Sequence, residues 1–234
     1  MMTLVLFDCD GTIVDSQHLI VASMSAAFEG AGLEVPPRPA VLSIVGLSLI
    51  PAIRRLLPAQ TDDRLASSLA EKYKAAFRDL RADPMNHEPL YPGARDVIEA
   101  LAGREGTVLG VATGKSRRGV DALFEREGLG DFFATIQTAD DHPSKPHPSM
   151  IHRALAETGA AVADAVMLGD TTYDIEMAVA AGVVPIGVSW GYHDVGALQA
   201  AGASAIATAY GDVPGLIARH LGDTRARTPR VSAS

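Results

Sequence analysis

Four short apolar segments dominate the pattern of hydrophobic and polar positions along the chain. Each has the length of a strand and is rich in Val, Leu or Ile, as is typical of strands buried in a parallel sheet. These segments are Thr3–Phe7, Thr107–Ala112, Ala165–Leu168 and Val184–Val188. Helical patterns follow the second and third segments, at Ser116–Glu127 and at Tyr173–Ala181, where Gly182 ends the helix. This alternation predicts an α/β fold with a doubly wound, Rossmann-like parallel sheet.

The residues between the first two apolar segments follow a different pattern. They show helical periodicity, as in Ile20–Phe28 and Asp63–Leu80, and no convincing buried strand. We interpret this stretch as an inserted helical cap, with additional core helices as the alternative. The polar and small residues at the end of the chain indicate a flexible tail. The predicted boundaries are residues 1–15 and 88–222 for the core, 16–87 for the cap and 223–234 for the tail.

Composition and charge narrow the class of protein. The chain has 234 residues, of which 47% are hydrophobic, enough for a core domain and a smaller inserted one. Its 20 basic and 28 acidic residues give a net charge of -8 without a basic block, which argues against a nucleic-acid partner. An acidic protein that binds a phosphate group therefore needs a local metal ion, a Lys or backbone N–H groups.

The N-terminus and the cysteine content predict a cytoplasmic protein. Cys9 is the only cysteine, so no intramolecular disulfide can form, which suits a reducing compartment. The N-terminal apolar run lacks a basic flank and is too short for a signal peptide. No segment reaches the roughly 20 apolar residues of a membrane span, so no membrane partner is expected. The sequence allows either a monomer or a homodimer.

The first acidic motif, DCDGT at residues 8–12, directly follows the first apolar segment. Side chains two residues apart in an extended chain face the same side, so Asp8 and Asp10 point together at the ligand-binding edge of the sheet. Two carboxylates held close together repel each other unless a cation lies beside them, and oxygen ligands of this kind suit Mg²⁺. A turn or helix N-cap is the alternative. A calcium loop is excluded, because its twelfth position is Leu19 instead of Glu.

The second motif, TGKS at residues 113–116, follows the second apolar segment. It is not a P-loop, because the position five residues before Gly114 is Leu109, and the glycine comes one residue later. A turn from strand to helix still favours an anion, since its N–H groups are free, and Thr113 adds a hydroxyl donor. A plain helix N-cap is the alternative.

Lys145 and a second acidic pair complete the chemically interesting residues. Prolines on the C-terminal side of Lys145 place it at the beginning of a helix near Ser149–Glu157, where it could neutralise phosphoryl charge or be an ordinary surface lysine. Asp170 lies just after the third apolar segment, and Asp174 lies one helical turn later on the same face. All these residues are expected at one edge of the sheet.

The four motifs, in this order, resemble those of the haloacid dehalogenase superfamily. The resemblance covers the whole core, and the position of the cap resembles that of the phosphoglycolate phosphatase-like branch. The segment from Phe7 to Ser16 is its most specific part. The matching residues are Asp8, Asp10, Gly11, Thr12, Thr113, Lys145, Gly169, Asp170 and Asp174.

The resemblance implies a Mg²⁺-dependent phosphatase that hydrolyses a small phosphorylated metabolite, of the phosphoglycolate or sugar-phosphate type, through an aspartyl-phosphate. It implies that Asp8 is the nucleophile and that Asp10 is the general acid and base. The implied Mg²⁺ ligands are Asp8, the backbone carbonyl of Asp10, Asp170 and Asp174. The implied phosphate-binding residues are Gly11, Thr113, Gly114 and Lys145, and Thr113 and Lys145 also support catalysis.

Some relatives are excluded and others stay open. Members that cleave carbon–halogen bonds lack the second acid, which is present here as Asp10. The branch that cleaves carbon–phosphorus bonds uses a cap lysine, and the cap lysines Lys72 and Lys74 lie in no recognisable motif. A phosphosugar mutase of the β-phosphoglucomutase type shares every core motif and stays open. A non-catalytic module that binds a phosphorylated ligand is the third alternative.

Substrate specificity is expected to lie in the cap, because a fold by itself does not define the substrate. The candidate contacts are Ser16, His18, Arg38 and the loop Gly46–Leu49. Arg117 and Arg118, just after the Thr113 turn, either meet an anionic leaving group or form a solvated helix face.

Overall fold

A computed structural model describes residues 2–83 and 85–227, with side chains described as far as Leu221. Within these residues six parallel strands form one sheet in the order β3-β2-β1-β4-β5-β6. The strands are β1 (Thr3–Phe7), β2 (Thr107–Thr113), β3 (Phe133–Thr138), β4 (Ala165–Gly169), β5 (Val184–Val188) and β6 (Ala205–Ala207). The first strand is central and the chain winds outward in both directions, which confirms the predicted doubly wound α/β fold.

Helices precede or follow each strand, and ten α-helices lie within the described residues. The first four follow β1 in the chain: α1 (Gln17–Glu29), α2 (Arg38–Leu42), α3 (Leu49–Leu56) and α4 (Asp63–Arg81). The others are α5 (Ala94–Ala102), α6 (Arg117–Glu127), α7 (Ser149–Thr158), α8 (Thr172–Ala181), α9 (Val195–Ala200) and α10 (Val213–Arg227). In the described part of the chain, no helix combines the length and the apolar character needed to cross a membrane.

Two of the strands were not predicted, and both lie at the edges of the sheet. The residues of β3 alternate between buried and more exposed positions and include Thr135, Gln137 and Thr138, so no continuous apolar run marks them. The strand β6 has only three residues, too few for a periodic signal. A strand with one unpaired edge needs less apolar sequence than the central strands do.

The register of the sheet brings three strand ends together. Phe7 of β1 is paired with Val111 of β2 on one side and with Leu168 of β4 on the other. The amide of Asp8 continues this pairing and donates to the carbonyl oxygen of Leu168 at 3.0 Å. The residues that directly follow β1, β2 and β4 therefore meet at one edge of the sheet.

The central strands are buried on both faces. Val5 and Phe7 point into a cluster formed with α5, α6 and α10, whereas Leu4 and Leu6 point into a second cluster formed with α7 and α8. Hydrophobic side chains at successive positions explain why the sequence shows a continuous apolar run at β1. The rigid packing on both faces fixes the position of the residues that follow this strand.

The helices α1–α4 pack around a separate apolar cluster, which includes Met24, Phe28, Ile53 and Leu69. They form an inserted helical cap, as predicted. The exact limits of the cap, residues 16–87, stay a prediction. The limit of the tail is different from the predicted one, because α10 continues to Arg227. A helix anchored by buried residues extends readily through a few more positions, and residues 228–234 lie outside the described residues.

We predict that Ile98→Ala lowers the free energy of unfolding by about 2–5 kcal/mol, because Ile98 is fully buried between α5 and the sheet. Urea denaturation measures the change. Val179→Ala on α8 is the control, since Val179 is 52% exposed and its truncation should change stability by about 0.5 kcal/mol at most. Equal effects of the two substitutions would contradict this assignment of the core.

Candidate active site

Three buried carboxylates meet at the carboxyl edge of the sheet. Asp8 follows β1, Asp170 follows β4, and Asp174 lies in the first turn of α8. Each offers an oxygen atom within 4.8 Å of the others, and all three side chains are buried. The structure thus brings together three of the acids that the sequence analysis selects, and their role as metal ligands stays a prediction.

The start of α8 fixes the orientation of Asp174. Thr171 is the N-cap, and its side chain and that of Asp174 form a reciprocal capping box. Asp174 Oδ2 accepts from the Thr171 amide at 3.1 Å and from the Thr171 hydroxyl at 2.7 Å. Because both bonds engage Oδ2, the other oxygen, Oδ1, points at the remaining groups of the site.

Lys145 is buried between two of the carboxylates. Its Nζ atom lies 3.0 Å from Asp8 Oδ1 and 2.5 Å from Asp174 Oδ1. Burial by itself would lower the pKa of Lys145, but Asp174 and Asp8 raise this pKa above its usual value. Lys145 is thus a permanent cation within the acidic cluster, and the alternative of an ordinary surface lysine is wrong.

The two oxygens of Asp8 have different surroundings. Oδ1 accepts from the Cys9 amide at 2.7 Å and faces Lys145. Oδ2 is buried, and it has no hydrogen-bond partner among the described residues. Burial, assisted by the charge of Asp174 and opposed by Lys145, raises the pKa of Asp8 to about 7. Burial, with Asp174 and Asp8 adding to it, raises the pKa of Asp170 well above its ordinary value.

These observations fit a divalent cation. The cluster of Asp8, Asp170 and Asp174 consists of oxygen ligands only, which is the donor set that hard cations such as Mg²⁺ take. The mutual repulsion of the three carboxylates is relieved by a positive charge. The carboxylate of Asp10 lies outside this cluster, and the predicted contact through its backbone carbonyl stays a prediction.

Gly11 makes room for the cluster. Its φ of +86° is in the left-handed region, and a Cβ atom there would lie 2.2 Å from Asp170 Oδ2. Asp170 also accepts from the Thr12 hydroxyl at 2.8 Å and from the Tyr192 amide at 2.9 Å. The chain therefore turns sharply at Gly11, whereas the predicted phosphate contact of Gly11 stays a prediction.

The turn after β2 lies beside Asp8 and under the cap. Thr113 is buried, and its hydroxyl lowers the pKa of Asp8, against the larger effect of burial. Gly114 touches the cap loop, because a Cβ atom on it would lie 2.6 Å from the Gly46 carbonyl oxygen. Lys115, next in the sequence, forms an ion pair with Asp10 at 2.8 Å.

A cavity of about 1080 Å³ separates the core from the cap and contains both Asp8 and Asp10 in its wall. Apolar side chains of the cap form much of the opposite wall, among them Ile20, Met24 and Phe77. The acidic cluster is thereby covered on its open side, where water would otherwise have free access.

The structure separates the candidate specificity residues and the two cap lysines into two groups. Those that reach the cavity or the catalytic acids are Ser16, which donates to Asp10, the loop Gly46–Leu49, Lys74 and Arg118. Those that lie elsewhere are His18, Arg38, Lys72 and Arg117. Arg117 pairs with Asp121 on the solvated face of α6, whereas its neighbour Arg118 faces the cavity.

Sequence reasoning missed three side chains around the site. Lys115 belongs to a recognised motif, yet it was given no role, and its contact with Asp10 depends on the fold. Glu88 and Tyr192 follow no motif at all; Glu88 pairs with Lys115, and the Tyr192 hydroxyl lies 3.1 Å from Ser16 Oγ. No local pattern could have indicated contacts between residues so distant in the chain.

Comparison with known proteins identifies the family. The family model for haloacid dehalogenase-like hydrolases matches residues 5–188. The chain belongs to this family. It is 36% identical over 217 residues to the probable phosphatase IndB of Dickeya dadantii, and the alignment covers 92% of this chain and 93% of the relative. It is 32% identical over 196 residues to a phosphoglycolate phosphatase of Pseudomonas putida, and this alignment covers 81% of the chain and 70% of the relative.

A solved structure extends the likeness to the whole fold. The crystal structure of a predicted phosphatase from Clostridium acetobutylicum is 26% identical, with a TM-score of 0.81, and the alignment covers 95% of this chain and 99% of that one. Together with the curated relatives, it confirms the predicted family and the predicted enzyme class, a phosphatase.

We predict that the stability of the metal-free protein falls as the pH rises from about 4 to 7. The raised pKa of Asp8 means that the folded state holds a proton that the unfolded state releases near pH 4, so folding is favoured at the acidic end. Asp8→Asn should flatten this slope and stabilise the metal-free protein at pH 7, by about 1.4 kcal/mol for each unit of pKa shift removed. Urea denaturation in the presence of a chelator measures it.

Addition of a divalent cation should restore the free energy of unfolding that the native protein loses toward pH 7, and it should stabilise Asp8→Asn less. Asp121→Asn is the matched control, because the Asp121 side chain is 54% exposed, and it should keep the native slope. The same pH slope in the native protein and in Asp8→Asn would contradict the assignment.

Proposed function

We propose that this chain is a Mg²⁺-dependent phosphatase that hydrolyses a small phosphorylated metabolite through an aspartyl-phosphate on Asp8. One observation carries the proposal. Asp8 lines the cavity, and its buried Oδ2 has no hydrogen-bond partner among the described residues, whereas its other oxygen is held by the Cys9 amide and Lys145. A fixed carboxylate with one free oxygen is prepared for nucleophilic attack on phosphorus.

The first step forms the intermediate. Asp8 Oδ2 attacks phosphorus as the bond from phosphorus to the leaving oxygen breaks, and Asp10 gives that oxygen a proton. Thr113, the Gly114 amide and Lys145 hold the phosphoryl oxygens and stabilise the charge that develops on them. These groups surround Asp8 or line the same cavity.

The second step regenerates the enzyme. Asp10 takes a proton from a water molecule, which attacks the phosphorus of the aspartyl-phosphate and frees Asp8. Asp8, the Asp10 carbonyl, Asp170 and Asp174 would hold a Mg²⁺ ion, whose charge offsets that of the phosphoryl group. The cap restricts entry of water until the leaving group departs, because its apolar side chains close the cavity above Asp8.

The proposed substrate is of the phosphoglycolate or sugar-phosphate type. The Pseudomonas putida relative is named as a phosphoglycolate phosphatase, which supports the smaller class. A cavity of about 1080 Å³ has room for more than glycolate, which supports the sugar-phosphate class. Both classes therefore belong in the first substrate panel.

We predict that Asp8→Asn abolishes phosphate release, lowering kcat by roughly 10³-fold or more, because the nucleophile is lost. Asp10→Asn should lower kcat by about 10²–10⁴-fold, the usual contribution of a general acid and base. The measurement is phosphate release with Mg²⁺ from phosphoglycolate, sugar phosphates, nucleotides, pyrophosphate and an aryl phosphate. Asp121→Asn on the solvated face of α6 is the control and should match the native protein.

The outcomes separate the alternatives. Equal release by the native protein and by Asp8→Asn would eliminate the proposed nucleophile. Conversion of a sugar phosphate to its isomer with little free phosphate would favour the mutase. Tight binding of a phosphorylated ligand without turnover would favour the non-catalytic module.

A further inference from the structure

Lys115 joins two carboxylates beneath the cap. Its side chain is only 7% exposed, and its Nζ atom lies 2.8 Å from Asp10 Oδ1 and 2.9 Å from Glu88 Oε1. The same atom lies 5.2 Å from the centre of the Phe77 ring. The ammonium group is therefore held from several sides and is not a mobile surface charge.

Glu88 is the fixed partner in this arrangement. Its side chain is fully buried and also faces Arg81 at 3.2 Å and Arg126 at 3.4 Å. Burial alone would oppose its ionisation, but Lys115, Arg81 and Arg126 hold the pKa of Glu88 below its usual value. A buried charge is retained only when it is well paired, so Glu88 acts as a permanent anchor for Lys115.

Asp10 is held by one of its two oxygens. Oδ1 accepts from both Lys115 Nζ at 2.8 Å and Ser16 Oγ at 2.6 Å. No hydrogen bond from a described residue reaches Oδ2. The two donors fix the rotation of the carboxylate and leave Oδ2 as the oxygen that can exchange a proton in the cavity.

We propose that Lys115 and Glu88 are positioning residues for proton transfer by Asp10, a role that rests on the proposed function. Glu88 holds Lys115, Lys115 holds Oδ1 of Asp10, and the proton on Oδ2 passes to the leaving oxygen as the bond from that oxygen to phosphorus breaks. The bonding electron pair stays with the leaving oxygen, and Asp10 becomes the carboxylate that later accepts a proton from water.

The same network connects this alignment with the cap. Arg81 is the last residue of α4, and Glu88 lies in the segment that leads from the cap back to the core. Lys115 and Arg126 belong to the core. Docking of the end of α4 and alignment of Asp10 thus depend on one shared carboxylate.

Two other roles of Lys115 make different predictions. A residue that only stabilises the fold, or that binds the phosphoryl group itself, should affect all phosphate esters alike. Loss of a residue that positions the general acid should slow release of a poor leaving group most. A nitrophenolate departs without a proton, whereas an alkoxide needs one from the general acid.

The experiment compares first-turnover release of the leaving group from 4-nitrophenyl phosphate and from phosphoglycolate, by rapid quench with Mg²⁺. Lys115→Met should slow release of glycolate about 10²-fold and release of nitrophenol by no more than about threefold. Nitrophenol should then appear as a burst of one equivalent, because hydrolysis of the aspartyl-phosphate also needs Asp10. Glu88→Gln should show the same dependence on the leaving group with a smaller loss.

Three further variants complete the test. Lys72→Met, a cap lysine that contacts the Gly30 carbonyl away from the cavity, should match the native protein. The double variant Lys115→Met/Glu88→Gln leaves no unpaired charge on Glu88 and gives the same readout if a single variant does not fold. Asp10→Asn should show the full dependence on the leaving group.

Equal slowing on both substrates by Lys115→Met, or no slowing, overturns the inference while Asp10→Asn still supports the proposed function. If Asp10→Asn slows release of glycolate and of nitrophenol equally, Asp10 is not the general acid, and both proposals are overturned. Selective slowing of glycolate release in both variants is the result that we expect.

Discussion

The structure depends on the confinement of three carboxylates and one ammonium group in a buried site. Asp8, Asp170 and Asp174 repel one another, and Lys145 offsets only part of that repulsion. Burial is the main cause of the raised pKa of Asp8, Lys145 opposes it, and Asp174 adds to it. Such an arrangement persists only where the backbone holds it, and the packing of the sheet on both faces provides that constraint. The site therefore concentrates acidic groups, whose negative charge a divalent cation can neutralise.

The local turns are adapted to this crowding. A residue larger than glycine at Gly11 would overlap Asp170, and one at Gly169 would overlap Asp174, whose side chain a Cβ atom would approach to 2.2 Å. The capping box at Thr171 orients the Asp174 side chain, because it engages one oxygen of Asp174 and turns the other toward Lys145. Close packing of small residues around carboxyl groups thus converts a strand end into a site with defined geometry.

The cap is connected to this site through contacts of several kinds. The loop at Gly46 rests on Gly114, the Tyr173 hydroxyl of α8 donates to the Ser43 carbonyl at 3.0 Å, and Glu88 pairs with Arg81 at the end of α4. Movement of the cap would disturb all three contacts. Because the same Glu88 also holds Lys115, the position of the cap and the contact of Lys115 with Asp10 depend on one electrostatic network.

The sequence by itself determined the central strands, the cap helices α1 and α4, and the acids that follow the strands, since each depends on a local pattern. A continuous apolar run predicts a strand buried on both faces, and an acid at its end lies at the carboxyl edge of the sheet. Only the tertiary structure decided the edge strands β3 and β6, the contact of Lys115 with Asp10, and the separation of Arg118 from Arg117. These depend on residues far apart in the chain, and ion pairs such as that of Lys115 with Glu88 form only after helix, strand and linker have packed together.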